Sequence, residues 1–323
     1  MYSPSTTDSP TAPLVSILIP CYNAASFVGA AIDSAYRQTY ATIEVIVVDD
    51  GSTDESLGVV KRLHEEKYPH LTLLTHPDGA NCGVSTSRYR AFTAASGKYV
   101  AFLDADDCFE PKKIEKQVAL MEKAPDIVLC HTGVVIFGDG SYAEACEENL
   151  SIQPTDPYFF RSCSDYLTRN RICNSTVIVR ADILRKVPFA MPQLFQYEDW
   201  LCWSLVSAYG KFQYIDENLT RYRVHNDSAT ASAARSPLGI QYSLLELKLA
   251  LAVRSESFWH CIKCLSSAGL TISVLLRQYC AVPQDSPSFS TLPFNRIFRF
   301  LRWLVRGSRR AVSRIGWPAR LNW

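Results

Sequence analysis

Three carboxylates fall within four positions at Asp104-Ala105-Asp106-Asp107, directly after the apolar run Tyr99 to Leu103. Ionised acids that close repel one another unless a cation sits among them. Hard oxygen ligands suit Mg²⁺ or Mn²⁺, and such ions commonly bridge to a diphosphate. The competing reading is an acidic turn in which Asp106 or Asp107 caps a helix beginning near Pro111. Other groups able to do chemistry stand apart in the chain: Tyr22, the pair Asp49-Asp50, Arg88, the pair Glu198-Asp199, and His225. Glu198-Asp199 opens an apolar helical stretch through Tyr209, where acids also complement a helix dipole. His225 is either a structural hydrogen bonder or, as a neutral imidazole, a metal ligand.

Bringing these groups together requires a scaffold, and the hydrophobic pattern supplies one. Leu14 to Ile19 reads as a short buried strand that Pro20 ends, with Cys21-Tyr22-Asn23 as the turn. A helix over Ser26 to Gln38 follows, its inner face made of Phe27, Ala30, Ala31, Ser34 and Ala35. The strand Ile43 to Val48 ends in Asp49-Asp50-Gly51-Ser52-Thr53-Asp54, and Ser52-x-x-Glu55 has the form of a capping box for a helix to about Lys67. A strand over Leu71 to Thr75 and a helix over Val84 to Ser96 complete a further unit.

Nearly continuous apolar strands alternating with helices predict an α/β fold, a mostly parallel sheet with helices on both faces. Ligands of such sheets bind at the carboxyl ends of the strands. Tyr22, Asp50 and Asp104/Asp106 all lie at such ends, and Arg88 lies on an intervening helix. Together they offer a ring to stack on a base, an acceptor for a base N–H, a cation and a metal site, as a nucleotide diphosphate needs. No Gly-x-Gly-x-x-Gly follows the first strand and no Gly-x-x-x-x-Gly-Lys-Ser/Thr exists in the chain, so a glycine-rich phosphate cradle is not expected.

Four ordered motifs resemble the family 2 inverting glycosyltransferases, which have a GT-A fold. They are Val15-Ser16-Ile17-Leu18-Ile19-Pro20-Cys21-Tyr22-Asn23, Val47-Val48-Asp49-Asp50-Gly51-Ser52-Thr53-Asp54, Asn81-Cys82-Gly83-Val84-Ser85-Thr86-Ser87-Arg88, and Gly97-Lys98-Tyr99-Val100-Ala101-Phe102-Leu103-Asp104-Ala105-Asp106-Asp107. The resemblance implies a nucleotide-diphosphate sugar donor, whose pocket would include Pro20, Tyr22 against the base, Asp50 accepting a base N–H, Asp49 in support and Arg88 on base or phosphate. Asp104 and Asp106 resemble the DxD motif that holds the ribose or sugar side and an Mn²⁺ or Mg²⁺ ion; Asp106 and Asp107 both remain candidates for the direct ligand. Glu198-Asp199 resembles the family's ED motif, which implies a catalytic base for the acceptor hydroxyl, assigned to Asp199 ahead of Glu198. Tyr222-Arg223-Val224-His225 resembles the family's Tyr-Arg-x-His and places His225 near the diphosphate or metal. At Tyr89 the family usually has Asn, which leaves the local hydrogen bonding there open.

Farther along, Asp126 to Phe137 reads as a strand or strand pair, and Gly138 to Asp165 has no clear period. Strands are expected over Asn174 to Arg180, Lys211 to Asp216 and Leu219 to Val224. The expected organisation is a loose tail over 1–12, a GT-A domain over 13–234 and a helical extension over 235–323. Eight arginines and no acids fall between Pro293 and Trp323, opposite an apolar face at helical period. That pattern suits an anionic membrane surface and a saccharide or lipid-linked acceptor there.

Composition sets the remaining bounds. The 323 residues are 47% hydrophobic and 20% charged, which excludes a wholly disordered chain, and a net charge of +1 gives no field favouring nucleic acid. Met1 to Ala12 lacks a basic-then-apolar pattern, so the expected location is cytoplasmic, peripheral at the inner face of the membrane. Eleven scattered cysteines do not suit a disulfide framework, and Cys261-Ile262-Lys263-Cys264 lacks the paired spacing of a zinc site. The alternatives to a glycosyltransferase are a sugar-nucleotide nucleotidyltransferase and a non-catalytic membrane-associated scaffold of the same fold.

Overall fold

A computed structural model describes residues 12–138, 172–187, 198–207 and 209–225. The expected tail before residue 12, the unpatterned stretch 139–165, the Cys261/Cys264 pair and the expected helical extension with its basic C-terminal segment lie outside the described residues. Within them the first half alternates strand and helix: β1 Val15–Cys21, α1 Val28–Tyr36, β2 Ile43–Asp49, α2 Ser56–Glu66, β3 Thr72–Thr75, α3 Val84–Ala94 and β4 Tyr99–Phe102. The second half adds β5 Cys108–Phe109, α4 Lys113–Lys123, β6 Ile127–Gly138, β7 Ile178–Arg180, α5 Ala181–Leu184, α6 Glu198–Val206 and β8 Lys211–Val224.

These strands form one eight-stranded sheet in the order β3-β2-β1-β4-β7-β6-β8-β5. β1 pairs in parallel with β2 on one side and β4 on the other. β7 runs antiparallel to both β4 and β6. The direction of winding reverses at β1, so the crevice between the carboxyl ends of β1 and β4 is the switch point where ligands of such sheets bind.

Alternation along the strands divides the core into two layers. Leu18, Ile46, Val48, Val100 and Phe102 face α3, α5 and α6, with Phe92, Leu184 and Trp203 among their neighbours. Ile17, Ile19, Val45, Val47 and Tyr99 face α1, α2 and α4, against Ile32, Val60 and Ile114. A strand buried on both faces must be apolar at successive positions, and Ile17–Ile19 of β1 and Val45–Val48 of β2 meet that demand, while the buried Ser16 donates its hydroxyl to Glu44 Oε1 at 2.6 Å.

Several local expectations give way to longer-range contacts. Pro20 does not end β1, which continues to Cys21 and still pairs with β2 at Pro20↔Val48 and Cys21↔Asp49. The ladder to β4 has already stopped at Leu18↔Phe102, with one further bond from Leu103 N to Leu18 O. Pro20 lies on the same side of the strand as Leu18, so its missing N–H faces the opening crevice and breaks no pairing. The capping box at Ser52/Glu55 does not form: α2 starts at Ser56, and its preceding residue makes no side-chain cap. Ser52 Oγ instead accepts from Asn23 N at 3.1 Å, Ser56 Oγ from Ala24 N at 2.8 Å and Asp54 Oδ2 from Ala25 N at 3.1 Å. The loops after β1 and β2 are thereby tied to each other. Ala30 is exposed and Phe27 precedes α1, whose buried face is Val28, Ala31, Ile32, Ser34 and Ala35. Asn174–Thr176 is a single 3₁₀ turn before β7, and the two strands expected from Lys211 onward are one, β8.

One buried cation marks the α4 layer. Lys113 is fully buried, with Nζ 2.9 Å from Gln117 Oε1 and 4.1 Å from the centre of the Phe109 ring. Burial pulls its pKa down to about 7, so below that pH the folded chain carries an uncompensated ammonium. Lys113→Met is expected to stabilise the chain at pH 6 by on the order of 3 kcal/mol. Between about 7 and the unfolded value the unfolded chain holds a proton that the folded chain has released, so wild-type stability rises with pH there. Urea unfolding of both proteins should show the gap closing from pH 7 toward pH 10; a constant gap would contradict the assignment.

Candidate active site

β4 delivers the acid cluster to the crevice. Asp107 N donates to Asp104 O at 3.0 Å, closing a turn that sends the neighbouring carboxylates in different directions. Asp106 keeps 27% of its side chain exposed, and its Oδ2 lies 3.1 Å from His225 Nε2. Asp107 is 1% exposed: Ser175 Oγ donates to its Oδ2 at 2.5 Å and Arg223 N to its Oδ1 at 2.8 Å. Burial, then the charges of Asp106 and Asp104, raise its pKa well above the carboxylate range. Neither acid caps a helix, because α4 begins at Lys113 after a residue with no side-chain cap.

Arg88, on α3, ties this cluster to the second acid pair. Its Nη2 is 2.7 Å from Asp104 Oδ1, and its Nη1 pairs with Glu198 Oε1. Burial disfavours the charged guanidinium, but the charges of Asp104 and Glu198 outweigh it and keep Arg88 protonated. Arg88 is 7% exposed and holds together two acids, one at the end of β4 and one on α6. α6 is seated by Trp203, whose ring meets Phe102 of β4 edge-on with centres 5.3 Å apart. Replacing Arg88 by Met leaves two acids without their cation and is expected to destabilise by about 3–5 kcal/mol. Denaturant unfolding measures the loss, and a change within error of zero would remove the clamp from the argument.

Asp199 follows Glu198 in the first turn of α6, and its Oδ1 accepts from Trp200 N at 2.7 Å. Its side chain is half-buried. Burial, then the charge of Glu198, push its pKa up to about 7, with Arg88 pulling the other way. Glu198 is taken up by Arg88; Asp199 is the carboxyl poised near neutrality.

At the end of β2 the two acids also differ. Asp50 is 3% exposed, and its oxygens accept from Cys82 N at 2.7 Å and Gly83 N at 2.9 Å, fixing the loop before α3. Asp49 Oδ2 accepts from Ser52 N at 3.2 Å, while its buried Oδ1 has no hydrogen-bond partner. Gly51, directly after the pair, has φ 71°, and a Cβ there would lie 2.8 Å from the Ala80 carbonyl carbon. Tyr22 follows β1 and is 48% exposed.

Sequence reasoning missed the residues that hold these acids in place. Asn174 Nδ2 donates to Asp104 Oδ1 at 3.2 Å, and Ser175 Oγ accepts from Asp104 N at 3.1 Å. Arg223 Nε donates to Asp106 O at 2.9 Å, and its guanidinium lies over the Phe27 and Phe137 rings. Phe27 also packs on His225 with ring centres 4.7 Å apart. The Tyr-Arg-x-His resemblance was the one available signal for Arg223; nothing local marks Asn174, Ser175 or Phe27.

A parallel half-sheet with acids at its carboxyl ends, joined to a mixed half in which β7 runs antiparallel to its neighbours and β6 pairs in parallel with β8, is the GT-A glycosyltransferase architecture. S. aureus TarS residues 1–349 in complex with UDP share it with a TM-score of 0.53 at 17% identity, over 87% of this chain and 76% of that one. The mannosyltransferase PcManGT from Pyrobaculum calidifontis, in complex with GDP-Man and Mn²⁺, gives 0.55 at 17% identity, over 96% and 89%. The profile described as "Glycosyl transferase family 2" matches residues 16–187, and the chain belongs to that family. An uncharacterized glycosyltransferase of Haemophilus influenzae is 30% identical over 231 residues, 68% of each chain. The chondroitin synthase of Pasteurella multocida is 39% identical over 103 residues, 32% of this chain and 10% of that one. The expected family and fold are therefore those found.

Proposed function

We propose that this glycosyltransferase inverts the anomeric centre while moving a sugar from a nucleotide-diphosphate donor to an acceptor hydroxyl. The observation that carries the reading is the Asp104–Arg88–Glu198 bridge, which fastens the donor-side acids of β4 to the helix bearing Asp199. Donor chemistry and proton acceptance then share one rigid crevice.

Asp106 and His225 fit a divalent ion. Octahedral bonds of about 2.1 Å place neighbouring ligand atoms about 3 Å apart, and the 3.1 Å separation of Asp106 Oδ2 from His225 Nε2 matches. Mn²⁺ or Mg²⁺ held there would neutralise the leaving diphosphate. Tyr22 offers its ring to the base. Asp50 spends one bond per oxygen on the loop and retains acceptor capacity for a base N–H, with Asp49 and Pro20 shaping the same pocket. Asp199 takes the acceptor hydroxyl's proton as oxygen bonds to the anomeric carbon and the carbon–diphosphate bond breaks on the opposite face. Asp107 is reserved for structure by its two internal bonds.

The acceptor in this reading is a saccharide or a lipid-linked one, in surface polysaccharide or glycolipid synthesis. The partial likeness to a chondroitin synthase supports the polysaccharide side. The basic apolar-faced pattern of 293–323 supports contact with the inner face of the cytoplasmic membrane. Among the described residues no helix is long and apolar enough to cross a membrane.

Screening UDP-, GDP- and dTDP-sugars with the full chain, with Mn²⁺, Mg²⁺ or chelator, tests the proposal. Hydrolysis of one donor class that stops on chelation is expected. Absence of binding and hydrolysis across all donors and both metals would reject it in favour of the scaffold.

A further inference from the structure

A second cluster of metal-type ligands lies at the end of β2 and shares no residue with the Asp106/His225 pair. One oxygen of Asp50, one ring nitrogen of His76 and the sulfur of Cys82 all lie within 4.8 Å of one another. Asp50 and His76 are buried while Cys82 is exposed, so the cluster is walled on the protein side and open on the other. Asp50 Oδ1 and His76 Nε2 are 3.3 Å apart. Tetrahedral zinc with bonds of about 2.0–2.3 Å to oxygen, nitrogen and sulfur sets its ligand atoms about 3.3–3.6 Å apart. The buried pair therefore already stands at that spacing, and the sulfur of the exposed Cys82 lies within 4.8 Å of both.

We propose that Asp50, His76 and Cys82 bind a zinc-class divalent ion, with the fourth position open to solvent or ligand. The carboxylate is held in place by the N–H groups of Cys82 and Gly83, which also anchor the backbone of the third ligand. His76 Nε2 is 2.7 Å from Ser87 Oγ, so metal binding exchanges that hydroxyl for the ion. Cys82 binds as thiolate and releases one proton to solvent. Thiolate with imidazole selects zinc, cobalt or copper over magnesium or manganese, which keeps this site chemically apart from the one proposed for the donor. A further consequence rests on the proposed function: an ion here loads the acid that would accept the base N–H, so zinc should oppose nucleotide binding where manganese supports it.

Titrating the full chain with Co²⁺ and reading the thiolate-to-cobalt charge-transfer absorption tests the site without a donor. The wild type is expected to develop the band and lose it on adding Zn²⁺. Cys82→Ser should lack that band and bind Zn²⁺ about tenfold or more weakly, with an unchanged melting curve showing that it folds. No band in the wild type, or equal band and affinity in the variant, would overturn the site and leave the cluster as a hydrogen-bonded brace for the loop. UDP and GDP affinities measured with and without Zn²⁺ form the second arm. Zinc bound through Cys82 with nucleotide affinity unchanged confirms the metal site and removes Asp50 from the base pocket, so the two ideas fail separately.

Discussion

Asp199→Asn is expected to lower kcat for sugar transfer by about 10²–10⁴-fold, the usual contribution of a positioned general base. Metal-dependent nucleotide binding should remain near the wild-type value. Asn preserves the shape and the oxygen that accepts from Trp200 N, so the start of α6 is kept while the proton acceptor is removed. The free chain also predicts a pH profile. With the carboxyl pushed up to about 7, only the ionised form can take a proton, so kcat/KM should climb with pH and level off above neutrality. Arg88 opposes that upward shift, and weakening it should move the limb to higher pH.

Stability carries the opposite sign. An acid whose folded pKa exceeds its unfolded value keeps, between roughly pH 4 and 7, a proton that the unfolded chain has lost. The contribution of Asp199 to stability therefore falls across that window, and the Asn variant should show a smaller fall. Transfer at the wild-type rate by the Asn protein would end the assignment of the base, and Glu198→Gln would then be the variant to assay.

The scaffold was legible because buried parallel strands write their burial directly into composition. Ile17–Ile19 of β1 and Val45–Val48 of β2 are buried on both faces and carry no polar residue, and the acids that follow such runs lie at strand ends, where Asp50 and Asp104 are found. What could not be read depends on contacts between distant residues. Arg88 meets Glu198 across 110 positions, and Asp107 meets Arg223 across 116. A helix arginine and a turn aspartate look solvated until those partners are known. The capping box failed for a related reason: Ser52, with Asp54 beside it, accepts from the Asn23 and Ala25 backbone in the loop between β1 and α1. Pro20 was read by its lost donor, and the sheet uses it where no donor is needed.

Asp106→Ala should abolish the metal-dependent part of donor binding, bringing UDP or GDP affinity in Mn²⁺ to the value measured with chelator. His225→Ala should act in the same direction, since the two side chains stand at ligand-to-ligand spacing. Asp107→Ala separates the neighbouring acids by a different readout. Asp107 accepts from the Ser175 hydroxyl and the Arg223 backbone, and truncation takes this partner from one buried and one part-buried donor at about 1–3 kcal/mol each. Its principal effect is a lost melting temperature, whereas the partly exposed Asp106 should melt near the wild type. Calorimetric titration with Mn²⁺ alongside thermal unfolding of both variants decides the matter. The reverse pattern, a stable Asp107 variant without metal response beside a metal-responsive Asp106 variant, would move the ligand one residue along the turn. It would also require the β4 turn to rotate its buried carboxylate outward, breaking the bonds that join it to β8 and to the 3₁₀ turn before β7.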